Sequence, residues 1–387
     1  MSRNSSAALD SGVVSMPPVL TVRVLGAGVS GLASAIRLAS GGHRVELNDE
    51  SFAVPTVGTA LILFSSAQRS LERLGIVEEV RAAAVAPEAG TLRTAEGRIL
   101  LSMPADDALL ISRSELVRIL WGSLPPTVHL ERRRIEDVRP LREGANLLVG
   151  ADGVHSLVRR SGWPGAQGAR SHGLTVLRGI TDLAPPEISE TWGHGWLFGI
   201  TPLPGRRTNW FACVSEHRTS SRTEDLAHLR EVVGGHREEI DEVLAAATAQ
   251  STLVHGIHTA PALSPVRENV VLLGDAAHAM APNFGHGANT ALADADALGT
   301  SIRDVLDGRA AARATSPMLV RRGLHLYPLR RALPGQGWRV ASELMMRLAM
   351  MEEHADLRDR VLEGVETVRA GISPAGGTKA TAQRSRS

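Results

Sequence analysis

The sequence predicts a mixed α/β fold: a nucleotide-holding unit split into separate stretches of chain, with a β-rich unit inserted between them. Three observations predict it. First, an apolar strand from Val19 to Leu25 runs into the turn Gly26-Ala27-Gly28-Val29-Ser30-Gly31, then a helix (Leu32 to Ala39) and a second strand (Arg44 to Leu47). This is a βαβ opening. Second, two further strand ends rich in Gly and Asp lie far down the chain, at Gly150-Ala151-Asp152-Gly153 and Leu273-Gly274-Asp275. Third, the texture between them changes to short alternating segments. Trp196 to Thr201 and Asn209 to Val214 read as strands around a turn with Pro204, Gly205 and Arg206.

The other elements follow from spacing. Apolar residues at helical intervals (Leu71, Leu74, Ile76, Val80) predict a helix over 67–84, and Ser114 to Trp121 another, capped by Ser112 or Ser114. A helix-rich stretch spans 225–247, a buried strand Val270 to Leu273, and a helix 288–305. Helical material rich in Arg and Met (330–369) closes the protein. The nucleotide-holding unit is therefore assigned to 19–86, 108–170 and 262–312, the inserted β unit to 87–107 and 171–261, and the C-terminal helices to 313–370. Small, polar tails at 1–18 and 371–387 are expected to be disordered.

Composition narrows the function. The 387 residues are 43% hydrophobic and 21% charged with a net charge of +1, an ordinary balance that draws the chain toward neither nucleic acid nor an anionic membrane. The lone cysteine, Cys213, excludes an intrachain disulfide and a cysteine-based zinc site; no metal is expected, and a reducing, cytoplasmic setting fits. No apolar run approaches the ~18 residues of a membrane span.

The motifs carry the chemistry. In the first, Gly26 permits the tight turn, Gly28 lets backbone approach a pyrophosphate, and Gly31 allows close helix packing. Val29 and Ser30 open a helix whose N-terminus favours phosphate. Asp49 and Glu50 follow about 20 residues on, where a ribose hydroxyl would be met; an acid there favours FAD or NAD over NADP. The second motif, with Asp152, is entered by the strand Leu147-Leu148-Val149 and is equally compatible with an ordinary turn. The third runs from Gly274-Asp275 through His278 and Pro282-Asn283-Phe284-Gly285-His286-Gly287-Ala288-Asn289 to Asp294. It sets a carboxylate able to hold ribityl hydroxyls beside a second helix N-terminus able to stabilise charge on a flavin. A plain NAD-dependent dehydrogenase gives no reason for it, so FAD is the predicted cofactor.

With these three motifs in order, the chain resembles the FAD-dependent aromatic hydroxylase superfamily, monooxygenases related to para-hydroxybenzoate and salicylate hydroxylases. The likeness runs from about Val19 to Leu298. It includes Gly58-Thr59-Ala60, similar to the family's loop beside the isoalloxazine, and Arg113, similar to its flavin-contacting arginine. Ile135 falls where the family has an apolar residue near adenine, and Trp192 to Ala212 is similar to its substrate sheet. Three departures stand out. The segment 134–147 is shorter than the family's antiparallel excursion, Asp49 replaces Glu, and His286 replaces Gln.

The resemblance implies that NADH or NADPH reduces the flavin and that O₂ adds at C4a. The resulting hydroperoxide then hydroxylates or epoxidises an apolar, aromatic or polycyclic small molecule, with the chain a monomer or homodimer. Alternation puts Phe198, Ile200 and Pro202 on one sheet face with Trp210 and Ala212 facing them, a candidate substrate wall that simple core packing would explain as well. His286 is a candidate for modulating the flavin and His194 for reaching substrate, while His278 reads as a packing or hydrogen-bonding residue. Two alternatives remain open: a flavin-dependent reductase or dehydrogenase that makes no use of oxygen, and a flavin-binding protein without turnover. A halogenase is disfavoured, because the sole lysine is Lys379 in the tail and no Trp-x-Trp-x-Ile-Pro pattern occurs.

Overall fold

The computed structural model describes residues 18–55, 59–105, 107–165, 168–184, 187–282, 285–307 and 315–372. Nearly all of the two tails expected to be disordered lies outside these, as do Gly58, Asn283 and Phe284. The chain begins β1 (Thr21–Leu25), α1 (Val29–Ala39), β2 (Arg44–Asp49), β3 (Ala60–Leu63), α2 (Ser65–Leu74) and α3 (Val77–Ala83). Next come β4 (Ala89–Thr94), β5 (Ile99–Pro104), β6 (Leu109–Ser112), α4 (Arg113–Gly122), β7 (His129–Arg132), α5 (Arg139–Glu143), β8 (Leu147–Gly150) and α6 (Leu157–Gly162). The middle holds β9 (Arg170–Thr181), β10 (Ile188–Trp192), β11 (Trp196–Leu203), β12 (Arg207–Ser215), α7 (Arg222–Val233), α8 (Glu238–Ala246) and β13 (Thr252–Thr259). The chain then runs through β14 (Val266–Arg267), β15 (Val270–Leu272), α9 (Asp275–His278), α10 (His286–Leu306), α11 (Ser316–Ala349) and α12 (Ala355–Ile372).

Two large sheets organise these elements. The first has the order β14-β15-β8-β1-β2-β7 and is parallel except for the β14–β15 pair. Its central strands carry the core of this unit, with Val22, Val24, Leu147 and Val149 fully buried. Register aligns Leu25, Gly150 and Leu272 side by side. The three motifs, distant in sequence, therefore leave the sheet together at the carboxyl ends of neighbouring strands, where open parallel sheets bind ligands. The second sheet has the order β13-β9-β12-β11-β10-β4-β5 and is antiparallel except for β10–β4. A small β3–β6 ribbon completes the set.

Three local details follow from local chemistry. The stretch 67–84 forms two helices, not one, because Gly75 adopts φ +78° and closes α2 before α3 begins. Ser112 caps α4, its hydroxyl accepting from the Glu115 N–H at 3.2 Å. The short segment 134–147 passes from β7 to β8 through the five residues of α5.

Helices α10 and α11 are tied to the start of the third motif by one buried carboxylate. Asp294 of α10 is fully buried; its Oδ2 accepts from the Gly274 N–H at 2.9 Å and lies 2.7 Å from His278 Nε2. Its Oδ1 accepts from Arg331 Nε of α11 at 2.6 Å. Burial pushes this carboxyl up, but His278 and Arg331 outweigh it and hold it below its ordinary value. Tyr327, also on α11, donates its hydroxyl to Leu272 O at 3.3 Å. Asp294→Ala leaves Arg331 buried without its carboxylate and is expected to cost about 3–5 kcal/mol in chemical denaturation. A loss under about 1 kcal/mol would show that the network contributes little.

Candidate active site

The first motif forms a cradle that only glycine permits at two points. Gly26 sits at φ +101°, and a Cβ there would lie 2.4 Å from Ala151 O, so the first two motifs are in backbone contact. A Cβ on Gly31 would lie 1.8 Å from Gly26 O. Gly28 is different, for nothing lies within 4 Å of its missing Cβ, and it faces open space. No side chain caps the start of α1 and no acid sits in its first turn, which leaves its N–H groups available to an anion.

That open space belongs to a cavity of about 980 Å³ bounded by both large sheets. Gly26, Gly28, Val29, Ser30, Asp49 and Glu50 form its wall at the end of the parallel sheet, and Arg113 and Ile135 join them. Thr59 and Ala60 line it from the loop into β3, where the Ala60 N–H donates to Asn209 Oδ1 at 2.7 Å and so locks this loop to the second sheet. Asp275, Pro282, Gly285, Gly287 and Ala288 line it from the third motif.

The carboxylates differ in what they hold. Asp49 Oδ2 accepts from the Ala27 N–H (2.9 Å), while Oδ1 accepts from the backbone of Ser51 (2.9 Å) and Phe52 (3.0 Å). Burial pushes the Asp49 carboxyl up; these backbone donors more than offset it, and the group stays below its ordinary value. Asp152 lines the cavity too, yet its Oδ2 accepts from the N–H groups of Leu157 (2.7 Å) and Val158 (3.1 Å) at the start of α6. Burial leaves it above its ordinary value. Arg159, fully buried, spans from Val154 O (2.5 Å) to Ala276 O (2.7 Å) and ties the second motif to the third. The sequence offered Arg159 no role.

Three residues expected at the cofactor stand behind the wall. Gly31 packs against the Gly26 turn. Gly274, at φ +53°, brings the third motif so close to α1 that a Cβ would lie 2.9 Å from Ser30 Oγ. Asn289 is 2% exposed, with its amide committed to backbone: Oδ1 accepts from Phe64, and Nδ2 donates to Ile62 O and Gly285 O. All three shape the cavity without lining it.

The expected substrate wall and both catalytic histidines are corrected. Phe198, Ile200, Trp210 and Ala212 do share a face, but it is the face under α7 and α8, where they pack with Leu226, Leu229, Ile240 and Val243. Phe198 and Trp210 stack there with ring centroids 5.9 Å apart. Pro202, two residues beyond Ile200 on the same strand, likewise does not line the cavity. The cavity takes the alternate residues Thr201, Asn209 and Phe211, with Arg178 and Glu190 from the flanking strands. Both faces of this sheet are covered, so period-2 alternation separates them without saying which meets the cavity; the polar side chains do.

His194 lies in the β10–β11 turn, 56% exposed, with Nε2 3.5 Å from Asp356 Oδ1. That turn docks on the α11–α12 junction through the Gly195 N–H to Met351 O, away from the cavity wall. His286 opens α10 but is stacked between Phe64 (4.7 Å) and Trp338 (3.5 Å) and does not line the cavity. Burial lowers its pKa to about 4, so it is an uncharged imidazole near neutrality. An overlooked histidine, His255, does line the cavity and is likewise lowered by burial to about 4.

These features match known proteins. A protein-family model described as FAD binding domain matches residues 128–315. Over 309 residues the chain is 28% identical to Aurachin C monooxygenase/isomerase of Stigmatella aurantiaca, a match covering 72% of this chain and 79% of that protein. It is 30% identical over 303 residues to 2-heptyl-3-hydroxy-4(1H)-quinolone synthase of Pseudomonas aeruginosa, covering 71% of this chain and 79% of the relative. Klebsiella pneumoniae HpxO, solved with FAD and uric acid, matches with a TM-score of 0.75 at 20% identity, covering 91% of this chain and 95% of that one. The chain belongs to the FAD-dependent aromatic hydroxylase superfamily. Its activity is that of an FAD-dependent monooxygenase. Among the described residues, no helix is long and apolar enough to cross a membrane.

Two predictions follow from the corrected placements. Phe198→Ala is expected to destabilise the fold by about 3–5 kcal/mol, whereas Phe211→Ala changes ligand affinity more than stability; the reverse ranking in paired denaturation and binding titrations would refute the face assignment. The second concerns pH. Folding lowers the imidazoles of His255 and His286 from 6.5 to about 4, so between those values the unfolded chain binds more protons. Their contribution to stability is therefore full above pH 6.5 and lost as the pH falls toward 4. The Tm advantage of wild type over His286→Gln is expected to shrink from about pH 7 to about pH 5, and a pH-independent difference would count against it.

Proposed function

We propose that the protein inserts one oxygen atom of O₂ into a small ring-containing molecule, by hydroxylation or epoxidation, with NADH or NADPH as transient reductant. The observation that carries this reading is a single cavity walled on one side by the three motif loops and on the other by the polar face of the second sheet. One relative's name gives a hydroxylated quinolone as its product, which supports an aromatic ring as the group attacked.

The glycine cradle fits FAD, because Gly28 faces open cavity space with no atom within 4 Å of its missing Cβ, and the uncapped α1 terminus attracts phosphate. Gly28, Val29 and Ser30 would take the pyrophosphate, Asp49 and Glu50 the ribose, and Ile135 the adenine. Asp275 would take the ribityl hydroxyls, and Thr59, Ala60, Arg113, Pro282, Gly285, Gly287 and Ala288 would surround the ring system. When bound, FAD supplies the electron-transfer and oxygen-activating chemistry. In this reading the stretches 19–86, 108–170 and 262–312 hold the cofactor, and 87–107 and 171–261 hold the substrate.

The chain's own contribution is positioning, exclusion of water and one proton. Glu190 lines the cavity, its Oε1 accepting from Trp192 Nε1 at 2.6 Å, and burial raises its pKa to about 7. It can therefore hold or accept a proton at neutral pH, the condition for useful acid–base work.

The test is stopped-flow absorbance with NADH and NADPH. Flavin bleaching without oxygen, then reoxidation through a transient absorbance distinct from oxidised and reduced flavin, is the expected outcome. A protein whose flavin neither nucleotide bleaches, with or without 2-heptyl-4-quinolone present, would overturn the proposed reductant.

A further inference from the structure

Glu190 stands in the cavity wall with one carboxyl oxygen uncommitted. Its Oε1 accepts from Trp192 Nε1 at 2.6 Å, and among the described residues Oε2 accepts no hydrogen bond. Neither strand beside it supplies a donor side chain, for register sets Leu92 of β4 on one side and Gly199 of β11 on the other. The charged and titratable groups around it do not fill the gap. Arg358 of α12 lies over the Trp192 ring at 5.4 Å, but it is committed to Asp359 and to the carbonyls of Gly193, Leu348 and Ala349. Arg178 stands three strands away, at the far end of the row Glu190, Gly199, Phe211 and Arg178. Cys213 of β12 feels the Glu190 charge, yet burial pushes its thiol up to about 12 and it stays neutral.

An acceptor sheltered from water is costly until a donor meets it, and other sheltered carboxylates in this protein have their donors. Asp294 is met by Gly274, His278 and Arg331, and Asp152 by Ser156, Leu157 and Val158. Glu190 departs from that pattern at a place where a ligand would lie. Beside it the floor is aromatic. Gly199 has no side chain, and a Cβ there would lie 2.1 Å from the Phe211 ring, so this ring spreads over the glycine that separates it from Glu190.

We propose that Glu190 accepts a hydrogen bond from a ring N–H of the substrate, making this an oxygenase for N–H heteroaromatic rings that rest on Phe211. The inference rests on the monooxygenase reading of the cavity. An ionised carboxylate only accepts, and the N–H of a ring lying on Phe211 points outward in the ring plane, as such an acceptor requires. A ring N–H cannot accept in return, so the pairing depends on the charge of Glu190. Burial raises this carboxyl to about 7, and above that pH it is the acceptor. Once protonated, it keeps one good acceptor oxygen, which Trp192 holds, and turns an O–H toward the cavity.

The test uses purified, FAD-loaded protein titrated with 2-heptyl-4-quinolone, which carries a ring N–H, and with its N-methyl derivative, followed through the visible absorbance of the flavin. At about pH 8 the N–H compound is expected to bind at least about tenfold more tightly. By about pH 6 that advantage falls about tenfold, because a group titrating at about 7 is then mostly protonated, while the N-methyl affinity stays within about twofold. In Glu190→Gln the advantage disappears at both pH values, because Trp192 holds the single amide oxygen and the NH₂ faces the cavity. A preference set only by the bulk of the methyl group would survive both changes. Equal affinities at about pH 8, no N–H binding at about 100 μM, a preference that ignores pH, or one that survives in Glu190→Gln would each overturn the proposal. The pH comparison needs no variant to fold. A wild-type protein that retains FAD and is bleached by a nicotinamide, yet shows no preference, refutes Glu190 alone. One that fails to retain or reduce FAD refutes the reading beneath it.

Discussion

Burying one carboxylate, Asp294, sets the condition that the rest of the site obeys. A charge with no exposed surface is tolerated only when every lone pair is used, and Asp294 uses its oxygens on Gly274, His278 and Arg331. Two of these partners, Gly274 and His278, bracket the short helix of the third motif, and the other belongs to the C-terminal helix α11. The carboxylate thus fixes where Gly274 sits, and Gly274 in turn approaches Ser30 at the start of α1. Through Arg159, which donates to Val154 O and Ala276 O, the second motif is held to the third. Backbone loops that leave three different strands become one wall because buried charges leave them no alternative geometry.

How much of this was legible in the sequence depended on whether a residue type has one physical use or several. Gly26 and Gly31 were legible because positive φ and sub-contact approach leave no other residue possible. That β1, β8 and β15 are strands followed from apolar runs that each lead into a Gly-containing motif, whereas their parallel pairing in one sheet is what the structure adds. Gly75 carried the break between α2 and α3 in plain view, but apolar spacing continued across it and the periodicity read as one helix. Asn289 and Asp152 belong to the right motifs, yet motif membership does not separate a side chain that lines a cavity from one that caps or pins the backbone behind it.

The second sheet was the harder case, for a reason of geometry. Strands covered on both sides show no contrast between a wet and a dry face, so large apolar residues such as Phe198 and Trp210 look like pocket walls when they are foundations. The informative residues were the ones a core cannot use. Arg178, Glu190, Asn209 and Thr201 all fall on the face opposite that core, and each would be expensive there without either a protein partner or a ligand. His286 misled for a related reason: a histidine at a helix start suggests a titrating group, but stacking between Phe64 and Trp338 half-buries the ring and disfavours its charged form.

This division of the sheet separates stability from recognition. The face under α7 and α8 is filled with apolar side chains whose burial anchors the strands, and the cavity face hangs its polar groups from the same backbone at alternate positions. Side chains on opposite faces of a strand share no contacts, so a change on the cavity face leaves the packing beneath it nearly undisturbed. The Ala60–Asn209 hydrogen bond then connects that adaptable surface to the loop that borders the cofactor space. A rigid floor with independently variable side chains is what a fold needs in order to keep one cofactor chemistry while exchanging substrates.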